Sequence, residues 1–319
     1  MKKSTISDVV LAVTYRCNSR CRMCNIWQRK DNSGELTLAD LANLPVSLKN
    51  INLSGGEPFL RMDLPQIVAV IKKRCPQAKI AISSNGFATE IILAKMKEII
   101  GIDPQITVAL SLDGIGQAHD EIRGIPGGFE KVLATLHGLR QLGVKNLRLA
   151  FTIGDYNIDQ LKKVYELAQK EKVEMTLAAV HSSENYFGQK NKINAGEKIA
   201  AELEWLVKKE ISSWNPKRWL RAYFTAGLKK FVLSGERLLP DYSGKLSCFI
   251  DPLGDVYPSD ISAEKIGNLR SGLENLSAPD RKVCDQSWMI CTARPAIKKH
   301  FYSVIFWIIG RKIINIFGK

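Results

Sequence analysis

Val9-Val10-Leu11-Ala12-Val13-Thr14-Tyr15-Arg16-Cys17-Asn18-Ser19-Arg20-Cys21-Arg22-Met23-Cys24 is the stretch on which the reading of this 319-residue chain turns. Residues 9–13 form a short apolar, β-branched run, the pattern of a buried strand. Cys17, Cys21 and Cys24 then follow as CxxxCxxC, three thiols within eight residues. That spacing is too cramped for a disulfide framework and suits one metal centre. Thiolates are soft ligands that suit iron–sulfur clusters and zinc. Three on one loop can hold three irons of a cubane and leave the fourth open, as catalytic zinc sites keep an exchangeable position. A structural zinc with a distant fourth ligand also fits the spacing. Because the cysteines follow the strand directly, they belong to the first loop at the C-terminal end of a sheet, where α/β proteins place their chemistry.

Outward from this segment, strand-like runs at 51–53, 79–82, 107–112, 147–151 and 174–179 alternate with helical patterns at 64–74, 89–100, 129–143 and 157–170. Pro76, Gly101 and Gly143 stand where helices should stop. Such alternation predicts a parallel sheet of about six strand–helix units, fewer than the eight of a full barrel. After about Ser183 the pattern loosens. Residues 197–211 and 214–233 read as helices, and turn signals around 241–257 flank short runs, as in a hairpin.

The loops after these strands carry further motifs. Ser54-Gly55-Gly56-Glu57-Pro58 follows the second strand, Ser83-Ser84-Asn85-Gly86 the third, Ser111-Leu112-Asp113-Gly114 the fourth, and Glu121-Ile122-Arg123-Gly124 comes next. Glycines at 55 and 56 permit close backbone approach to a ligand. Arg123 can form a bidentate pair with a carboxylate, and Ser111 and Asp113 can bond ribose hydroxyls. Taken in order, the cysteine motif and these segments resemble the radical S-adenosylmethionine (SAM) superfamily over about residues 8–180. The resemblance implies an α/β fold, a partial (β/α)6 TIM-like barrel. It implies a 4Fe-4S cluster on Cys17, Cys21 and Cys24, and SAM held by Met23, Gly55, Gly56, Glu57, Pro58, Ser83, Asn85, Ser111, Asp113 and Arg123. Within it, the Glu57 segment receives the SAM amino group and Arg123 pairs with its carboxylate. The chemistry implied is reductive cleavage of SAM to a 5′-deoxyadenosyl radical that abstracts a hydrogen atom. The electron comes from a flavodoxin- or ferredoxin-like donor. Met23 stands where the family more often has an aromatic residue.

Cys248, the turn around Gly254, Cys284 and Cys291 resemble the SPASM/twitch extensions that hold auxiliary 4Fe-4S clusters. Ser259 and Ser287 replace two expected cysteines. The three that remain either hold a second cluster with an unusual fourth ligand, Asp260 being nearby, or are structural thiols. Cys75 reads as structural. The chain divides into a barrel over 1–205, a smaller α+β extension over 206–296 and a terminal amphipathic helix over 297–319. In that last segment Tyr302, Ile305, Phe306, Ile309, Ile313, Ile316 and Phe317 share one face, with Lys298, Lys299, Arg311, Lys312 and Lys319 as its charge. Its apolar run is too short to span a bilayer. It either lies on a membrane surface or docks on protein.

Lys and Arg number 46 against 32 Asp and Glu, a formal net charge of +14. That suits anionic partners, yet no RNA-binding signature appears and the cations are dispersed, so nucleic acid is not an expected partner. Met1-Lys2-Lys3 leads into polar residues, not a secretory signal, and the clustered thiols suit a reducing cytoplasm, with peripheral contact on the inner face of the membrane through the tail. Histidine is scarce at four residues, and neither a Ser-His-Asp spacing nor a Walker-type loop is present. Three functions remain: modification of a lipid-like substrate at a membrane, modification of a peptide or small molecule, and a non-catalytic metal- or RNA-binding role. Tyr15, Asn157 and His181 are candidate substrate-facing residues, and no catalytic side chain is assigned.

Overall fold

A computed structural model describes residues 6–29, 33–183, 186–274, 276–277 and 287–317. Six strands, β1 (Asp8–Ala12), β2 (Asn50–Ser54), β3 (Lys79–Ser84), β4 (Thr107–Ser111), β5 (Asn146–Ile153) and β6 (Glu174–Ala179), pair in parallel in sequence order. The sheet does not close. It continues from β1 into β7 (Ser247–Ile250), β8 (Asp255–Tyr257) and β9 (Gly267–Asn268), in the order β6-β5-β4-β3-β2-β1-β7-β8-β9. The extension is therefore part of the same sheet: β7 runs parallel to β1, with Cys248 opposite Val9, and β7–β8 is the antiparallel hairpin expected from the turn at Gly254.

Side chains alternate across each strand. One set, including Leu11, Leu53, Ile82, Leu110, Leu149 and Leu177, is buried in a single core against the helices. Each such side chain contributes about 2 kcal/mol. The opposite set ends in small or polar residues, Ser54, Ser83, Ser111, Thr152 and Ala178, which line a chamber at the C-terminal ends of the strands. The period-two pattern thus produces both the core and the chamber.

The covering helices are α1 (Leu64–Arg74), α2 (Thr89–Ile102), α3 (Gln117–Arg123), α4 (Gly128–Gln141), α5 (Leu161–Lys170), α6 (Gly196–Ile211), α7 (Pro216–Ser234), α8 (Ile290–Lys299) and α9 (Phe301–Phe317). Gly101 does not end α2, which continues to Ile102. The short α3 went unread in the sequence. It ends at Gly124, whose φ of 65° is the left-handed conformation that suits glycine. The boundary expected at residue 205/206 falls inside α6, which packs along α7.

The expected tail helix is two helices. α8 ends at Lys299 with His300 as its C-cap, and α9 begins at Phe301. α9 packs on α6 and α7 with Val304 and Ile308 buried, and the Trp307 ring lies edge-on to Tyr223 at 5.2 Å. Arg311 donates to Glu204 (2.7 Å), and Lys312 donates to the Ser213 carbonyl (3.1 Å). Its other side is open: Tyr302, Phe306, Ile309 and Ile313 are 82%, 75%, 50% and 51% exposed. No helix among the described residues is long and apolar enough to cross a membrane.

Candidate cofactor chamber

The loop after β1 is fastened on two sides. On one side it lies against the β2 loop, where Gly56 N–H donates to the Thr14 carbonyl (2.8 Å) and Glu57 N–H to the Arg16 carbonyl (2.7 Å). This contact explains the glycine pair. A Cβ on Gly55 would stand 2.4 Å from Thr14 O, and one on Gly56 2.2 Å from Arg16 O. Both glycines line the chamber, as expected, and they also allow a second close approach, to the cysteine loop itself. On the other side Arg20 and Arg22 donate backbone N–H groups to Arg123 and Ile122 carbonyls at 3.0 and 2.8 Å. Gly124 leaves room for this, since a Cβ there would lie 2.6 Å from Arg20 O.

Cys17, Cys21 and Cys24 line one chamber of about 270 Å³ with Met23, Gly55, Gly56, Ser83, Asn85, Ser111 and Arg123. Burial pushes the Cys17 thiol up to about 12 and Cys24 up to about 11. Ser19 Oγ lies 2.9 Å from Cys21 Sγ, and Arg123 Nη1 lies 3.6 Å from the same sulfur. Among the described residues no three His, Cys, Asp or Glu side chains group as a single metal ion would require. Three thiols on one loop, lining one chamber beside Arg123, fit a cubane with one open iron.

Three expected SAM contacts sit elsewhere. Glu57 is fully buried and absent from the chamber lining. Its Oε1 accepts from Phe59 N–H (3.1 Å) and Ser84 Oγ (2.9 Å), and its Oε2 from Asn85 N–H (2.7 Å). Burial lifts its pKa to about 7 against these bonds. Its acceptor positions join the β2 and β3 loops. Pro58 is buried in the first turn of the 3-10 helix Pro58–Leu60. Asp113, also fully buried, accepts Arg123 Nε and Nη2 at 2.6 Å each on Oδ2, and Thr152 N–H at 2.8 Å on Oδ1. It aims the guanidinium instead of facing the chamber. Burial and the Asp113 carboxylate act on Arg123 in opposite senses, and its pKa is raised on balance.

Of the candidate substrate-facing residues, only His181 lines the chamber. Burial opposes its protonation, but the Asp260 carboxylate, 3.4 Å from Nε2, raises its pKa. Tyr15 donates to Asp251 Oδ2 (2.8 Å) beneath the Arg29 guanidinium, and lines a small neighbouring cavity. Asn157 donates to the Asp113 and Thr152 carbonyls, so it ties β4 to β5. Trp27, Thr152, Ala178, Val180 and Phe187 complete the chamber without a sequence signal beyond their place at strand ends and loops. Glu35 was also missed. Its Oε1 accepts Thr14 Oγ1 (2.7 Å) and Tyr15 N–H (3.0 Å), fixing the start of the cysteine loop from twenty residues away.

Cys248 faces the outer core and its thiol is pushed up to about 12 by burial. Cys291, on α8, is half-buried near Asp260 and Arg294, with its pKa raised by burial. Cys284 lies outside the described residues. Ser259 and Ser287, at the expected cysteine positions, are both buried. Cys75 is buried against the Pro45 carbonyl.

The model of the Radical SAM superfamily matches residues 11–168. The chain is 34% identical over 176 residues to Fe-coproporphyrin III synthase of Methanosarcina barkeri and 36% identical over 177 residues to pre-heme d1 synthase of Dinoroseobacter shibae. Each match covers 52% of this chain and 41% of the relative, so the chain spans about two fifths of their length. It is 28% identical to a probable GTP 3′,8-cyclase of Sulfurisphaera tokodaii over 68% of this chain and 70% of that one. In fold it is similar to native anSMEcpe with bound AdoMet (TM-score 0.62, 15% identity, 96% of this chain and 100% of that). It is also similar to Streptococcus suis SuiB bound to S-adenosylmethionine (TM-score 0.63, 14% identity, 84% and 64%). These relatives are enzymes, and the Radical SAM match supports a 4Fe-4S cluster and SAM as the cofactors. The cysteine loop, the strand-end chamber and the family match agree: the chain belongs to the radical SAM superfamily.

Proposed function

We propose that this enzyme cleaves SAM reductively and uses the 5′-deoxyadenosyl radical to take a hydrogen atom from a lipid-like substrate at a membrane surface. The chemistry is carried by the three cysteines and Arg123 in one chamber. Cys17, Cys21 and Cys24 would hold the cluster, which when reduced supplies the single electron for SAM cleavage. Arg123, held by Asp113 with Nη1 turned to Cys21, presents a fixed cation to a carboxylate. Ser83, Asn85, Ser111 and Thr152 offer hydroxyl and amide groups to a polar ligand, while Val180, Phe187 and Trp27 exclude water. The electron donor is a flavodoxin- or ferredoxin-type protein, and the net charge of +14 favours an anionic one.

The membrane half is supported by α9. Tyr302, Phe306, Ile309 and Ile313, spaced i, i+4, i+7 and i+11, form one exposed stripe, while Val304 and Ile308 dock the helix. Trp214, 87% exposed, lies beside Lys312, with the ammonium 4.9 Å from its ring. Aromatic and aliphatic groups among cations are what an interfacial helix presents to anionic lipid.

Two measurements test this. Anaerobically rebuilt, reduced protein given SAM should release 5′-deoxyadenosine, and Cys24→Ala should not; a full cluster without product would refute the chemistry. Wild-type protein should sediment with phosphatidylglycerol vesicles, and Phe306→Ser/Ile313→Ser should stay in the supernatant. Equal sedimentation of both would remove the membrane half and leave the chemistry standing.

A further inference from the structure

A second cavity, of about 240 Å³, lies beside β6 and between α6, α7 and α8. β6 ends the sheet, so no further strand covers this side. The walls are almost wholly apolar, chiefly Met175, Leu177, Leu206, Phe224, Ile290 and Ile297. Thr176 lines this cavity and Ala178, the next residue on the same strand face, lines the cofactor chamber. Thr176 and Ala178 are about 7 Å apart along the strand, while Met175 and Leu177 meet the cavity from the opposite, core-side face of β6.

Protein interiors are close-packed, and apolar space left unfilled lowers stability in proportion to its volume. Water gains little from walls that offer few polar partners. An apolar ligand is the occupant such a space favours. The charges around it select the rest of that ligand. Arg221, Arg294, Lys298 and Glu210 line the cavity, and Glu210 is neutralised by Arg218 and Arg221. Arg294 and Lys298 share a single carboxylate, Asp8, at 3.6 and 3.8 Å. Burial depresses the Lys298 ammonium; Asp8 opposes this, and Arg294, Lys49 and Lys79 add to it, so several cations gather around the one carboxylate of Asp8. Arg221 is paired with Glu174 and Glu210, which leaves Arg294 and Lys298 as the cationic pair.

We infer that this cavity binds the hydrocarbon portion of an amphiphile whose anionic head lies by Arg294 and Lys298. The inference rests on the proposed lipid-like substrate and adds its binding site: the apolar part beside β6, with the reacting part toward the chamber.

The probe is 11-(dansylamino)undecanoic acid, titrated by fluorescence into full-length protein. Saturable binding at one site is expected, with displacement by dodecanoate and displacement by dodecanol about tenfold weaker. Ile297→Trp and Leu220→Trp add bulk at two partly exposed lining positions and should each weaken the probe about tenfold while the melting temperature holds. Phe306→Ser, outside the cavity, should bind as wild type. Unsaturable binding, or wild-type affinity in whichever of the two tryptophan variants folds, overturns the site. Equal displacement by dodecanol overturns the anionic head. 5′-Deoxyadenosine release, measured without amphiphile on the same preparations, separates the two ideas. Probe binding without SAM cleavage leaves the cavity and removes the functional reading, and cleavage without probe binding does the reverse.

Discussion

Gly56→Ala tests whether the glycine pair serves the packing of the cysteine loop. The added Cβ would stand 2.2 Å from Arg16 O and 2.6 Å from Tyr15 O, both backbone atoms with no rotamer to change. Relief requires the two loops to separate, which breaks the Gly56–Thr14 and Glu57–Arg16 hydrogen bonds of 2.8 and 2.7 Å. Overpacking costs about 1–3 kcal/mol, and two backbone hydrogen bonds add about 1 kcal/mol each. The expected loss is about 3–5 kcal/mol, and at roughly 2 °C per kcal/mol the cofactor-free protein should melt about 6–10 °C lower. Iron bound after reconstitution should fall in parallel, since Cys17 follows the displaced Arg16. Gly101→Ala is the control, because nothing lies within 4 Å of its Cβ position inside α2. There alanine should stabilise, by up to about 1 kcal/mol. Differential scanning calorimetry and iron analysis read both variants. A Gly56→Ala protein that melts within about 1 °C of wild type with full iron would refute the packing argument.

Asp113→Ala should cost about 3–5 kcal/mol in urea denaturation, because it strands the Arg123 guanidinium and the Thr152 N–H in a buried setting; SAM affinity by equilibrium dialysis should fall with it. His119 is buried, its Nδ1 accepts Asp113 N–H (3.1 Å), and burial lowers its pKa from 6.5 to about 3. The unfolded chain therefore binds more protons below pH 6.5, so this stability is present above 6.5 and lost as pH falls toward 3. Between pH 7 and 5 the loss is about 2 kcal/mol, and His119→Asn, which keeps an acceptor without the titration, should flatten the pH dependence of the denaturation midpoint by that amount. In vesicle sedimentation, Phe306→Ser/Ile313→Ser removes two side chains worth about 1.5–3 kcal/mol each if buried in lipid. Partitioning should drop by two orders of magnitude or more, with the melting temperature unchanged.

Regular structure was legible wherever periodicity had room to repeat. Residues 64–74 and 174–179 fall as read, and β1–β6 each carry the two-residue alternation that separates core from chamber. The cysteine loop was legible because three thiols in eight residues have few other uses. Contacts set by long-range packing were not legible. Nothing near Glu35 announces that its carboxylate fixes Thr14 and Tyr15, because the pairing exists only after the chain folds back. Asp113 and Glu57 read as ligand groups because buried and chamber-facing carboxylates look alike in one dimension. Their donors, the Arg123 guanidinium and the Asn85 and Phe59 amides, turn them inward. The glycine pair was read for only one of its two neighbours: it lines the chamber as expected and also admits the Thr14 and Arg16 carbonyls, which nothing nearby in sequence announces.

The tail is docked on protein, and that docking does not remove the surface on which the membrane proposal rests. The sequence offered a helix docked on protein or a helix on a membrane, and treated them as alternatives. A helix with an apolar stripe on one side must choose, but α9 has two. Val304 and Ile308 are spent on α6 and α7, and this contact fixes the rotation of the helix about its axis. With that rotation fixed, and with Arg311 and Lys312 tied to Glu204 and Ser213, the stripe Tyr302, Phe306, Ile309 and Ile313 cannot turn inward without undoing the docking. Docking therefore presents the stripe; it does not replace it. The same rigidity makes the vesicle experiment clean, since removing Phe306 and Ile313 takes nothing from the fold, whereas deleting residues 297–319 would bare the surface that Val304 and Ile308 cover. A deletion that released the protein from vesicles would confound lost contact with lost fold, and the paired serine substitutions separate them.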